Sequence, residues 1–128
     1  MDQKLIFLPV LAQVFLTVLV YIGITKAKIR AVSQDRVDES RRALYQDAWP
    51  EEVVKYTNNL KNQFESPVLF YVLCFVLWAV HAVDLACLTI AWAFVGSRII
   101  HAYVHTGSNY VPVRKKVFMI GCVLLLVL

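Results

Sequence analysis

Charge is scarce in this sequence. Asp, Glu, Lys and Arg make up 17% of 128 residues while hydrophobic residues make up 59%, where an ordinary soluble domain runs near a quarter charged. A water-soluble fold has nowhere to hide that much apolar side chain. Cysteine is also scarce, and its placement excludes the usual cysteine chemistries. Cys74, Cys87 and Cys122 all fall within apolar runs, with no CxxC pair and no Cys/His spacing of a metal site, so they read as small buried hydrophobes and no metal is expected. There is no Gly-rich phosphate loop, no Ser/His/Asp arrangement and no internal repeat. Any chemistry must therefore use a substrate or cofactor brought from outside.

What is present is a set of four apolar stretches: Leu5 to Ile24, Val68 to Val83, Leu85 to Ile100, and Val113 to Leu128. A bilayer core about 30 Å thick needs roughly 20 helical residues at about 1.5 Å each, so the first suffices alone and the others must be extended. The second grows backwards through Val53 to Glu65, and the third forwards through His101 and Tyr103. The expectation is an all-α fold, an integral membrane four-helix bundle forming a single domain over 1–128, with helices at about 4–28, 51–81, 84–104 and 112–128. The first run is longer than a signal peptide's apolar region and ends in Thr25-Lys26-Ala27-Lys28-Ile29-Arg30, which reads as a retained anchor.

Basic residues are nearly missing from one side of this arrangement. Lys26, Lys28, Arg30, Arg36, Arg41, Arg42, Lys55 and Lys61 lie between the first and second helices, and Arg98, Arg114, Lys115 and Lys116 lie around the third connection. Only Lys4 stands on the other side, and the turn near His81 and Asp84 has neither Lys nor Arg. The positive-inside rule then places both termini outside the cytoplasm. The net charge of +4 is explained by topology, and no nucleic-acid partner is expected, because the cations flank apolar runs instead of lining a helix face of their own.

The polar segment from Arg30 to Asn59 ends in Pro50-Glu51-Glu52, which reads as a first helical turn with proline at its first position and acids at the positive end of the dipole. Gly107-Ser108-Asn109 reads as a turn. On the first helix, Gln13, Thr17 and Tyr21 form a polar stripe at a spacing of four, with some of that polarity expected to face a neighbouring subunit. Gly96 and Ser97 would permit close helix approach.

The informative residues are the ionisable ones carried into membrane helices. Lys61, Asn62 and Glu65 share one face of helix two, and Arg98, His101 and His105 share one face of helix three. Ionisable groups at membrane depth are expensive unless paired or facing a polar cavity, so these faces either bind a ligand or fasten the helices to each other. Arg98 and Lys61 also have stems long enough to snorkel. Pro67 leaves the carbonyl of Gln63 without its helical partner and kinks the helix beside Glu65, which either shapes a pocket or relieves packing.

Lys61-Asn62-Gln63-Phe64-Glu65-Ser66-Pro67, followed by Arg98-Ile99-Ile100-His101 and by Arg114 sixteen positions after Arg98, resembles the MAPEG proteins. These include microsomal glutathione transferases and the leukotriene and prostaglandin E synthases. The resemblance implies a homotrimer that binds glutathione as co-substrate in a cytoplasm-facing pocket between subunits, beside a lipid-exposed cleft for an apolar electrophile. Asn62, Glu65, Arg98 and His101 would hold the tripeptide, with Lys61 and His105 beside them, and Arg114 would face the thiol as the catalytic residue. Lys26 would stand for an arginine often found at the inner end of helix one. Departures are plain: the family usually has tyrosine where His105 and Phe118 stand, and Lys61 replaces what is commonly arginine, losing the bidentate fork. The implied function is glutathione-dependent conjugation or peroxide reduction. The alternatives are a non-catalytic membrane protein that binds a lipid or a partner, and a small transporter or channel.

Overall fold

The computed structural model describes residues 1–106 and 111–128, apart from the side chains of residues 105 and 111–113. The Gly107-Ser108-Asn109 turn and the side chain of His105 therefore lie outside the described residues. A 3-10 turn over Gln3–Ile6 leads into α1 (Phe7–Ser33), and α2 (Glu51–Gln63), α3 (Ser66–Ala79), α4 (Leu85–Thr106) and α5 (Val111–Val127) follow. Among the described residues three helical segments are long and apolar enough to cross a membrane: Gln3–Ser33, the bent pair Glu51–Ala79, and Leu85–Val104. The 17 residues of α5 span about 26 Å at the helical rise, just short of a full crossing.

The segment read as one helix over 51–81 is two. Proline at 67 has no N–H to donate to the Gln63 carbonyl, so α2 ends there. Its last turn tightens through bonds from Phe64 N to Lys61 O at 3.1 Å and Glu65 N to Asn62 O at 3.2 Å, the shorter loops of a 3-10 turn. Glu65, at φ −99° and ψ −102°, is the joint, and α3 starts with Pro67 in its first turn. Pro50 stands one place earlier than expected: it caps α2, its carbonyl accepting from Val53 and Val54, and the helix starts at Glu51.

The other turns are set by polar side chains. Asp84 accepts the Cys87 N–H at 2.8 Å, capping α4, and the bonds from that first turn hold its carboxyl below the usual range. The Gln3 amide pairs with both backbone groups of Val83, at 2.9 and 2.8 Å, tying the N-terminus to the connection between α3 and α4.

The core gathers Ile6, Phe70, Cys74, Val83, Ala91, Phe94 and Val95, with the Phe70 and Phe94 rings stacked at 4.5 Å. A smaller cluster of Ala27, Ala31 and Val53 closes α1 on α2 beneath Trp49. Leu8, Leu11, Phe15, Val18, Leu19 and Ile22 are all exposed along α1, an apolar exterior that suits lipid. Two of the three residues of the Gln13 stripe turn toward α2. Gln13 is fully buried and donates to Gln63 Oε1 at 3.0 Å, Thr17 donates to the same oxygen at 3.2 Å, and Gln63 in turn donates to Asn59 at 3.4 Å. The Gln13 Nε2 and the Thr17 hydroxyl are thus bonded to α2 of the same chain, while Gln13 Oε1 and Asn59 Nδ2 are buried without a hydrogen-bond partner among the described residues, and Tyr21 alone of the stripe is exposed.

Candidate functional site

The face of α2 that ends at the Pro67 break meets the first turns of α5 and the last turns of α4. There a groove of about 510 Å³ is lined by Asn58, Lys61, Asn62 and Glu65, by His101, and by Arg114, Lys115, Phe118 and Met119. Spacings of three and four put each set on one face of its helix. Because α2 stops at Gln63, Glu65 sits at the joint and not on a continuing helical wall. Among these lining groups, Lys61, Arg114 and Lys115 face one carboxylate, Glu65. The groove thus offers an excess of positive charge together with a site for one cation.

Gln46, in a 3-10 turn over Gln46–Ala48, joins two of the lining residues. Its amide donates to Asn58 Oδ1 at 3.0 Å and accepts from Lys61 Nζ at 3.4 Å. The buried ring of His101 lies 6.0 Å from that of Phe118. From Met119 the wall continues into an apolar hollow of about 260 Å³ lined by Ile120, Val123 and Leu124.

Of the residues singled out from sequence, Lys61, Asn62, Glu65, His101 and Arg114 come together here. Arg98 does not line the groove. It is 2% exposed and lies behind the wall, donating to Ser66 Oγ at 3.4 Å and to the Val117 carbonyl at 3.3 Å. The Phe94 and Phe118 rings lie 5.6 and 5.4 Å from its guanidinium carbon. Gly121 makes room for it: a Cβ there would stand 2.7 Å from Nη2. Lys26 is exposed on α1 and does not line the groove of its own chain. Asn58, Lys115 and Met119 were missed. Asn58 carries a readable signal, since it lies three before Lys61 and four before Asn62. Among the described residues no cluster of three His, Cys, Asp or Glu side chains forms a metal site.

The profile of the MAPEG family matches residues 6–128, nearly the whole chain. The chain belongs to the MAPEG family. This MAPEG chain is therefore a helical membrane protein of a family of eicosanoid and glutathione metabolism. No curated protein and no solved structure gives a significant match.

Proposed function

We propose that this MAPEG protein is a membrane-bound glutathione-dependent transferase or peroxidase that acts on an apolar electrophile. The observation that carries this reading is the groove in which three cations and one carboxylate adjoin an apolar hollow. Glutathione has two carboxylates, one ammonium and a thiol, a charge pattern complementary to Lys61, Lys115 and Glu65, with Asn58 and Asn62 for its amides. His101 is the neighbouring polar wall, and Arg114 is the group assigned to the thiol. Arg98 has a positioning role in this reading: it holds Phe118 and α5 against α4. The apolar hollow from Met119 to Leu124 supplies the electrophile's side.

The reading extends to assembly and topology. A homotrimer would bring Lys26 of one subunit toward the groove of the next. Twelve of the 13 basic residues flank the groove end of the bundle in the chain order and Lys4 alone the other, which supports a cytoplasmic groove and non-cytoplasmic termini. We read residues 1–128 as one domain. The test is calorimetric titration of glutathione into the full chain in nanodiscs, with the particle mass measured alongside. Saturable binding by a trimer is expected. A folded protein that takes up no glutathione would end the catalytic reading and leave that of a lipid- or partner-binding membrane protein; a dominant monomer would end the trimer.

A further inference from the structure

A second polar site lies away from the groove, where α1 leaves the membrane. The uncharged run of α1 ends at Ile24, and Lys28 follows four residues on, about 6 Å along the axis. That is the depth of lipid headgroups. Here Lys28, Ile29, Val32, Ser33, Arg42 and Trp49 enclose a surface groove of about 470 Å³. Its two ends differ chemically. Ile29 and Val32 are exposed apolar side chains on α1, about two to three turns past Ile22, where the helix's apolar exterior ends. Lys28 and Arg42 both lie against the Trp49 ring, 5.0 and 5.6 Å from its centroid. Arg42 has a carboxylate partner, Glu39, at 3.2 Å. Among the described residues no carboxylate stands within 4 Å of the Lys28 ammonium. Ser33 spends its proton on the Arg30 carbonyl at 2.9 Å. The groove thus has an uncompensated positive charge, an aromatic residue of the kind that settles at membrane interfaces, and an apolar flank leading toward the bilayer.

We propose that this groove binds an anionic phospholipid, its phosphate between Lys28 and Arg42 and the start of an acyl chain along Ile29 and Val32. Neither half of the groove alone calls for a lipid. A soluble anion would use the cations and leave the apolar flank in water, and a neutral lipid would use the flank and leave Lys28 without a counter-charge. One molecule with a phosphate diester joined to hydrocarbon satisfies both.

Trp49 is the reporter. In the full chain carrying Trp78→Phe and Trp92→Phe, it is the only tryptophan. Its fluorescence is read in nanodiscs of phosphatidylcholine with equal small fractions of dibrominated phosphatidylglycerol or dibrominated phosphatidylcholine. Stronger quenching by the anionic lipid is expected, with the preference falling about fivefold per cation removed in Lys28→Met and Arg42→Met, which keep the stems packed on Trp49. The double variant Lys26→Met/Arg30→Met removes equal charge at the same depth outside the groove and should keep the preference. Equal quenching by the two lipids in a helical, folded protein would overturn the proposal. So would a loss in Lys26→Met/Arg30→Met equal to that in the combined Lys28→Met/Arg42→Met, which would mean a diffuse surface potential, or abolition of the preference by millimolar inorganic phosphate, which would mean a simple anion site.

Discussion

Two groups of polar side chains lie inside this bundle, and they are built differently. Between α1 and α2, Gln13, Thr17, Asn59 and Gln63 form a closed cluster of uncharged groups that mainly bond one another. Between α2, α4 and α5, Lys61, Glu65, Arg114 and Lys115 line an open groove. Neutral amides suit the first place, because a buried amide with a partner costs little, whereas a buried charge is costly even when paired. Charges suit the second, because they remain near water until a ligand replaces it. On the proposed reading the contrast separates fastening from binding within one helix: Asn59 and Gln63 face α1, and Asn58 and Asn62, each one position before, face the groove.

The largest effect should come from the closed cluster. Gln63→Leu removes the acceptor shared by Gln13 and Thr17 and the donor to Asn59, leaving buried amides without partners. A loss of about 2–3 kcal/mol is expected, less than the sum of about 1–3 kcal/mol for each orphaned group, because the unfolded chain in a membrane also finds partners. Replacing both ends of the strongest bond, in Gln13→Leu/Gln63→Leu, should cost less than the sum of the single changes, since neither amide is then orphaned. Unfolding in mixed micelles followed by circular dichroism measures this. Glutathione affinity of the folded fraction should be unchanged; its loss would break the division between fastening and binding.

Next comes the buried arginine behind the groove. A methyl added at Gly121 would meet Arg98 Nη2 at 2.7 Å, and Arg98 is confined by Phe94 and Phe118. Overpacking of this kind costs about 1–3 kcal/mol. Gly96→Ala is the control, because nothing lies within 4 Å of a Cβ there, and it should be close to neutral. If both variants unfold at the same denaturant concentration as the parent, Arg98 is not held as tightly as its burial suggests.

These two regions also divide what could be read from residues alone. Apolar run lengths exposed the membrane-crossing segments, and Pro67 marked the break, because both are local properties. Spacing put Arg98 and His101 on one face, yet it could not say which helix that face meets. In the fold, Arg98 turns toward Ser66 and Val117, while His101 reaches the groove one turn later. The partner of Gln13 lies 50 residues away. Its pairing depends on how α1 and α2 align in depth, which no pattern within α1 contains. Asn58 was legible in principle, but one polar residue at the edge of a polar segment does not stand out.

In the groove itself, Glu65→Gln should leave stability within about 0.5 kcal/mol, since the residue is exposed and sits outside both helices. Glutathione affinity should fall by about 1–3 kcal/mol if the carboxylate meets the ligand's ammonium. Calorimetry on parent and variant decides it. An unchanged affinity would move Glu65 from the binding group to the fastening group and blur the comparison on its open side.

The smallest effect concerns Arg114 and the thiol of bound glutathione. A free thiol of pKa about 8.5 is about 3% ionised at pH 7, and a guanidinium that lowered it to about 6 would raise that to about 90%. The thiolate population then rises about thirtyfold. Nucleophilicity falls with pKa, however, and a Brønsted coefficient of about 0.4–0.5 returns roughly tenfold or more of that gain. Activation alone is thus worth only a few-fold in rate, and positioning against the electrophile must supply the rest. Phe118, lining the same groove, offers no hydroxyl to share the work. The thiolate's ultraviolet absorbance, titrated with glutathione bound to the parent, Arg114→Ala and Lys115→Ala, separates the two neighbouring cations. The low-pKa signal should vanish in Arg114→Ala with binding retained and persist in Lys115→Ala. If it persists in both, Arg114 acts only as part of the groove's positive field; if bound glutathione titrates like the free thiol even in the parent, the groove binds glutathione without activating it.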